Sequence, residues 1–394
     1  MKNLETLIQE LCPDGVEFVK LVKYANVQYG FAFDSKLFTD DEQYIPLIRI
    51  RDVVPAKPST YYSGEYSSDY IIRKGDMLVG MDGNFNMEKW NDRDGLLNQR
   101  VCKIYAKDES LLLDGFLYHF LRPLFKKIEN SIQGSTVKHL SAKVINHIEI
   151  PLPPIEVQTE IVRILDKFTS LEAELEAELD CRKRQYEYYR DKLLSFDNVG
   201  GQEVTISKIG DIGRICMCKR IMKNQTNSES GIPFYKIGTF GKVADAYISN
   251  DVYEEYKKLY SYPKKGDILM SASGTIGRTV VFNGEPSYFQ DSNIVWVDND
   301  ETKVLNSYLN YYYQIIEWKT QGGTIKRLYN NLLAGATIKY PSLDEQHRIV
   351  SILDRFESLT TSLQSGLPAE ISARRQQYEH YRDKLLTFKR KGAA

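Results

Sequence analysis

Apolar positions along the chain follow two patterns. Ile161, Leu165, Phe168, Leu171, Leu175, Leu179, Tyr186, Tyr189, Leu193 and Phe196 recur at spacings of three, four and seven, the seam of a coiled-coil helix. Leu353, Phe356, Leu359, Leu363, Leu367, Ile371, Tyr378, Tyr381, Leu385 and Phe388 draw an equivalent seam further on. Some forty helical residues at about 1.5 Å each predict a rod of roughly 60 Å. Elsewhere the apolar runs are short: Ile45–Ile50, Met77–Val79, Val101–Tyr105, Ile268–Met270, Thr279–Phe282 and Ile294–Val297. Gly, Asn and Asp separate them, which predicts strands joined by turns. Helical stretches are predicted near Leu111–Ile128 and Leu305–Trp318. Pro153-Pro154 closes an extended stretch, Ile148 to Leu152, and opens the first long helix. Ser342 followed by Glu345 has the form of a capping box at the second.

The two seams belong to a repeat that fills the chain. Arg182 to Phe196 (RKRQYEYYRDKLLSF) recurs as Arg374 to Phe388 (RRQQYEHYRDKLLTF), and Gln158 to Leu171 (QTEIVRILDKFTSL) as Gln346 to Leu359 (QHRIVSILDRFESL). The glutamines are 188 positions apart and Tyr186 and Tyr378 are 192 apart, so the second copy carries four extra residues. These fall around Ser365-Gly366-Leu367-Pro368, where a helix would break and restart with proline at its first position. Weaker matches pair Ile45–Ile50 with Ile232–Ile237, Lys74–Leu78 with Lys265–Leu269, and Gly134–Lys138 with Gly322–Lys326. Units of this length are too long for a solenoid repeat. The copies agree in the helices and diverge in the segments 16–150 and 204–338. The predicted fold is therefore α+β: two mixed α/β domains separated by two long antiparallel coiled-coil helices, with a pseudo-twofold internal repeat. The division is 1–153, 154–198, 199–340 and 341–394, with the helices in the second and fourth segments. The acidic run from Glu172 to Asp180 and the basic stretch from Arg374 to Lys391 read as solvated helix faces.

Composition narrows the chemistry. Among 394 residues, 52 basic and 53 acidic side chains give a net charge of −1, so any basic surface must be local. No apolar run reaches the roughly 18 residues of a membrane span, and the first residues lack a signal-peptide core, so a cytoplasmic protein is expected. Five cysteines without paired Cys-x-x-Cys motifs argue against a disulfide framework and a structural zinc site. The five histidines are scattered, with no ligand spacing. P-loop, Gly-x-Gly-x-x-Gly, His-Glu-x-x-His and Gly-x-Ser-x-Gly motifs are all missing, as is the Asn-Pro-Pro-aromatic tetrapeptide of amino-methyltransferases. Gly274-Thr275-Ile276-Gly277 reads as a hairpin turn rather than an RNA clamp. The 27 tyrosines suit contact surfaces. No catalytic residue and no metal site is assigned, and the pattern is that of a recognition scaffold.

The motifs Pro151 to Gln158 (PLPPIEVQ), the following IVRILD, Arg184 to Phe196, and Gly366 to Glu370 ahead of Arg374 resemble the specificity subunit of type I restriction-modification enzymes, a likeness that also takes in Glu10 to Glu17. The resemblance implies that each variable unit is a target recognition domain reading one half of a bipartite sequence in double-stranded DNA. It implies that the helices set the spacing and dock two modification subunits, restriction subunits completing the complex. S-adenosylmethionine, ATP and Mg are then expected in those partners and no cofactor in this chain, which is not itself an enzyme. A coiled-coil interaction scaffold that does not bind DNA is the alternative.

Candidate DNA contacts occur at matching places in the copies. Arg49 and Arg51 match Lys236, and Lys138 matches Lys326 with Arg327 beside it; either cation serves phosphates, and arginine also reads guanine bidentately. Gln133, Ser135 and Thr136, against Gln321 and Thr324, lie in glycine-containing loops that let backbone approach a phosphate. Asn84, Asn86 and Lys89 sit in a polar segment whose place is taken by Ser271, Ser273, Thr275 and Arg278. Helix-pair or partner-subunit contacts are assigned to Tyr186, Tyr189, Arg190 and Leu193, and to Tyr378, Tyr381, Arg382 and Leu385.

Overall fold

A computed structural model describes residues 4–132, 138–196, 203–323, 326–362 and 365–392. The chain divides into two compact units, Met1–Glu174 with Ile371–Ala394, and Leu175–Glu370. The principal helices are α1 (Leu4–Leu11), α2 (Asp114–Ser131), α3 (Ile155–Ser195), α4 (Asn306–Tyr312), α5 (Leu343–Thr361) and α6 (Leu367–Leu385). The unit boundary falls within α3 rather than at its ends, and α6 belongs to the first unit from Ile371 on while α5 stays in the second.

In the first unit β1 (Glu17–Lys20), β2 (Ala25–Tyr29), β3 (Ile45–Ile48), β4 (Met77–Gly80), β5 (Met87–Lys89), β6 (Gly95–Leu97), β7 (Val101–Ala106) and β8 (Glu149–Leu152) carry the framework. A four-stranded antiparallel sheet runs in the order β2-β7-β4-β5, β1 pairs with β8, and β3 lies parallel to β6. Strand β4 is buried at every position, as a central strand of apolar residues should be. The second unit repeats the plan with β9 (Thr205–Lys208), β10 (Gly213–Cys216), β11 (Ile232–Tyr235), β12 (Ile268–Ser271), β13 (Thr279–Val281), β14 (Tyr288–Phe289), β15 (Ile294–Asn299) and β16 (Thr337–Tyr340). Its sheet order is β10-β15-β12-β13, β9 pairs with β16, and β11 lies parallel to β14. Each predicted short run is a strand, with ends shifted by a residue or two.

Each unit closes on a pair of antiparallel helix segments. In the first, α6 runs against the start of α3: Phe168 stacks on Tyr381 at 5.3 Å, and Arg375 bonds Glu172 at 2.7 Å. In the second, the end of α3 runs against α5, with Tyr189 stacked on Phe356 at 5.7 Å. The stacks are the same pair with the copies exchanged, because Phe168 corresponds to Phe356 and Tyr381 to Tyr189. Below them Ile161 and Leu165, and their counterparts Ile349 and Leu353, are buried in the two cores. Burial does not continue along the whole predicted seam: Leu171 and its counterpart Leu359 are exposed. Leu363 lies outside the described residues.

The second copy's rod is two helices rather than one. Gly366 adopts φ +84°, and a Cβ there would press on the Leu359 carbonyl, so glycine is required where the chain turns. The helix restarts at Leu367, which places Pro368 second rather than first. Ser342 stands at the cap of α5 without a side-chain cap bond, and Glu345 instead takes Arg348 Nε at 2.7 Å. The helix predicted near Leu305–Trp318 is shorter, ending at Tyr312.

The last residues complete the first unit. Val16 N donates to Lys389 O and Lys391 N to Val16 O, both at 2.9 Å, while Arg390 bonds Glu149 at 2.6 Å and covers the Phe18 ring. Gly15, at φ +90°, allows the Lys389 carbonyl to approach. Among the described residues no helix is long and apolar enough to cross a membrane, and no group of three or more His, Cys, Asp or Glu side chains is disposed to hold a metal ion.

Candidate nucleic-acid interface

The parallel pairing of β3 with β6 in the first unit brings two distant segments to one rim. The chain leaves β3 through Arg49 into a helical turn, Ile50–Val53, and leaves β6 through Asn98, Gln99 and Arg100. The loop between β4 and β5 adds Asn84 and Asn86. Together these line an open concavity that holds three arginines and four amide side chains, with no carboxylate in its lining.

The arginines are held differently. Arg51 donates from Nε to Ser59 Oγ at 2.8 Å and from Nη2 to Thr60 Oγ1 at 2.7 Å. Ser59 in turn donates to the buried Asp52 carboxylate at 2.5 Å, which also accepts Arg49 N at 2.9 Å and so fixes the turn that carries both arginines. The Arg49 guanidinium lies over the Phe38 ring at 5.9 Å, an arrangement that orients the group while leaving its N–H donors outward. Arg100 pairs with Asp82 at 3.2 Å, and the other oxygen of Asp82 meets His139.

The second unit has a concavity at the same place, between the ends of β11 and β14. Its cations are Arg220, Lys223, Lys236 and Arg327, and Gln290, Asp291, Ser292 and Asn293 form the turn opposite. Arg327 Nη2 donates to Asn293 Oδ1 at 2.7 Å, where Ser273 Oγ also donates at 2.8 Å. Arg220 pairs with Asp291 at 2.9 Å and Lys236 with Asp245 at 2.8 Å. The frame is shared and the side chains on it differ.

The sequence-assigned residues divide accordingly. Arg49, Arg51, Asn84 and Asn86 meet in one concavity, Lys236 and Arg327 in the other, and Ser273 supports the second. Gln321 exchanges two backbone bonds with Arg327, and Lys326 is exposed beside them. Thr275 is exposed at the tip of the loop after β12. Other candidates are held by their own unit: Lys89, though exposed, lies over the Tyr118 ring at 4.9 Å, and Lys138 donates to Glu129 O at 2.6 Å. Ser271 is buried and donates to Thr275 O, while Arg278 donates to Ile237 O at 3.3 Å and covers Phe240. Gln133, Ser135, Thr136 and Thr324 lie outside the described residues. Asn98, Gln99, Arg100, Arg220 and Lys223 escaped the sequence reading. For Asn98, Gln99 and Arg100 the signal was a polar run directly after a short apolar strand, but only parallel pairing shows which rim such a run joins; Arg220 and Lys223 lie in the loop beyond β10, which pairs antiparallel with β15.

The helix contacts are likewise duplicated. Arg190 covers the Tyr186 ring and Arg382 the Tyr378 ring, each at 5.6 Å. Leu193 and Leu385 pack at the edges of the two cores, whose buried members there are Leu194 and Leu386. Behind Tyr378 sits a buried histidine: its hydroxyl meets His119 Nδ1 at 2.9 Å, and His119 Nε2 meets Asp166 at 2.8 Å. Burial holds the His119 pKa below its ordinary value despite the nearby carboxylate, so Nε2–H donates to Asp166. In the second unit Tyr311 fills that place, its hydroxyl lying 2.5 Å from Asp354 and 2.8 Å from Glu357, with one proton to share between them.

Comparison with known proteins accords with this duplicated plan. A family model described as the type I restriction modification DNA specificity domain matches residues 13–180 and again 201–373. A putative type I restriction enzyme specificity subunit of Haemophilus influenzae is 44% identical over 98% of this chain and 100% of its own length. The EcoR124I/EcoR124II specificity subunit of Escherichia coli is 30% identical over 83% of this chain and 84% of its own. In fold, the S subunit of a type I restriction-modification system from M. genitalium superimposes with a TM-score of 0.54 at 15% identity, covering 94% of this chain and 96% of that one. With two matched domains and a relative aligned over its full length, the chain belongs to the type I restriction-modification DNA specificity family.

Proposed function

We propose that this chain reads a bipartite sequence in double-stranded DNA, one half through each concavity, for a complex whose catalysis resides in other subunits. The observation that carries the reading is the pair of cation- and amide-rich concavities at the same place in both copies, with different side chains. Arginine and lysine meet phosphates, while arginine and the amides match base edges in the major groove. A shared frame with unlike contents is what two unlike half-sites require. Two contacts in one molecule also multiply selectivity, because the second becomes intramolecular.

The two helix pairs support a second part of the proposal. Phe168 with Tyr381, and Phe356 with Tyr189, make like surfaces from unlike parts of the chain, which suits docking of two identical modification subunits. Those subunits would bring S-adenosylmethionine, and restriction subunits would bring ATP and Mg. The assembly is placed in a prokaryotic cytoplasm.

The test is to co-express the chain with its modification subunit and map methylated positions by long-read sequencing. A two-part motif that appears only when this chain is present is expected. Absence of any motif, together with no salt-dependent DNA affinity in the assembled complex, would return the chain to a scaffold without DNA.

A further inference from the structure

The turns that follow β6 and β14 share a property that their sequences hide. Among the described residues, twelve glycines and five other residues adopt a positive φ. Two of those five, Arg100 at +73° and Ser292 at +52°, are each the third residue after the short parallel strand of their unit. Both line the concavity of that unit. Neither arginine nor serine is a residue type that eases a left-handed backbone, as glycine or asparagine would. A strained backbone at a residue that lines the concavity, found in both units, points to a side chain placed for what it touches.

The surroundings hold each turn firmly. In the first unit Val101 N donates to Asn98 O at 3.2 Å, Gln99 N to Phe31 O at 2.8 Å and Met81 N to Arg100 O at 2.8 Å. In the second, Ile294 N donates to Gln290 O at 3.1 Å and Ala272 N to Asn293 O at 2.7 Å. Arg100 O and Asn293 O are the equivalent acceptors, so the second turn is one residue longer; backbone bonds hold each turn, and the side chain at its third position is not needed for them. The Arg100 side chain is mostly exposed, and its Nη1 rests on Asp82, which fixes its direction and leaves Nε and Nη2 to donate. Ser292 presents a short hydroxyl beside the Arg327 guanidinium, 3.4 Å from Nη2.

We propose that Arg100 and Ser292 are specificity-determining residues, each setting the base preference at one position of its own half-site, with Arg100 reading a guanine. The inference rests on the DNA-reading function proposed above and goes further by assigning the reader within each concavity. An arginine aimed by a carboxylate meets guanine O6 and N7 with two parallel bonds, whereas a serine accepts or donates to several bases and discriminates less. The first unit's position should therefore be the stricter of the two.

The structure also separates a reading role from a folding role. Glycine at either position removes the backbone strain and leaves the ladder intact. Full-length R100G and S292G chains, each assembled with modification subunits, would be compared by thermal melting and by methylation mapping. R100N serves as a second variant, because asparagine accepts the left-handed backbone and lacks the guanidinium. The expected result for R100G and R100N is a melting temperature at or above that of the parent chain. One position of one half-motif should relax by about 10- to 100-fold, with the other half unchanged. S292G should change one position of the opposite half by a smaller factor. Folded variants with both half-motifs unaltered would overturn the proposal, and so would a lower melting temperature for both R100G and R100N, which would make the side chain structural. A parent chain that yields no bipartite motif would instead defeat the DNA-reading proposal itself.

Discussion

Replacing Gln158 by leucine should destabilise the first unit without touching any DNA-contacting surface. The side chain is fully buried and makes three hydrogen bonds: Oε1 accepts Leu113 N at 2.9 Å, and Nε2 donates to Leu111 O at 2.9 Å and Pro153 O at 2.8 Å. These tie the loop before α2 to the junction of β8 with α3, segments 45 residues apart along the chain. Leucine fills nearly the same space but leaves all three backbone groups without a partner. Leu111 is exposed, so its carbonyl rehydrates, and the penalty falls on the Leu113 N–H and the Pro153 carbonyl. At about 1–3 kcal/mol for each unsatisfied group, the loss is roughly 2–6 kcal/mol, a large part of the stability of an ordinary domain. Gln346 repeats the arrangement in the second unit, bonding Leu305 N, Lys303 O and Pro341 O, each at 2.9 Å. Urea denaturation of the full chain with hydrogen exchange should show Q158L opening the first unit alone, and Q346L opening the second by a similar amount. A Q158L chain within about 0.5 kcal/mol of the parent would refute the reasoning, because it would mean the freed groups find water or new partners at no cost.

Other consequences can be checked as directly. Double-mutant cycles on Phe168 with Tyr381 and on Tyr189 with Phe356 should return equal coupling energies of about 0.5–1.5 kcal/mol, as two copies of one stack require; unequal values would break the pseudo-symmetry. Arg220→Ala combined with Lys223→Ala should lower the slope of log affinity against log salt by about 2, if both meet phosphates. An unchanged slope would remove them from the interface. Because burial depresses the His119 pKa, the unfolded chain binds that proton more readily. Stability of the first unit should therefore fall as pH drops below the ordinary histidine range, and H119Q should flatten that dependence in urea melts between pH 7 and 5. A parent chain with no such dependence would show that Asp166 balances the burial of His119 after all.

The helices were legible because their pattern is local. Seams at helical spacing, a proline pair before α3 and a glycine before α6 each act within a few residues, so periodicity and turn chemistry sufficed to find them. What could not be read was partnership. Nothing in the run from Leu343 to Leu385 indicates that its two halves belong with different units, since the apolar spacing is equally good on both sides of Gly366. The exposure of Leu171 and Leu359 has the same origin: a seam position says which face is apolar, not whether anything covers it.

The interface shows the same division between local and distant information more sharply. Arg49 and Arg51 were legible because they directly follow an apolar strand that aligns between the copies. Lys89, Lys138 and Arg278 looked equally suitable by charge and position, yet each packs on an aromatic ring or a carbonyl of its own unit. A cation's sequence position leaves its direction open, and that direction depends on whether a ring or carboxylate stands behind it. Arg100 illustrates the converse. A polar run after an apolar strand is its one mark in the sequence, because its place in the rim depends on a parallel pairing between strands some fifty residues apart, and its strain on a backbone conformation that residue type alone argues against. Where both units hold such a conformation at the rim of the concavity, with arginine in one and serine in the other, the backbone belongs to the scaffold and the differing side chains carry the difference in what each copy reads.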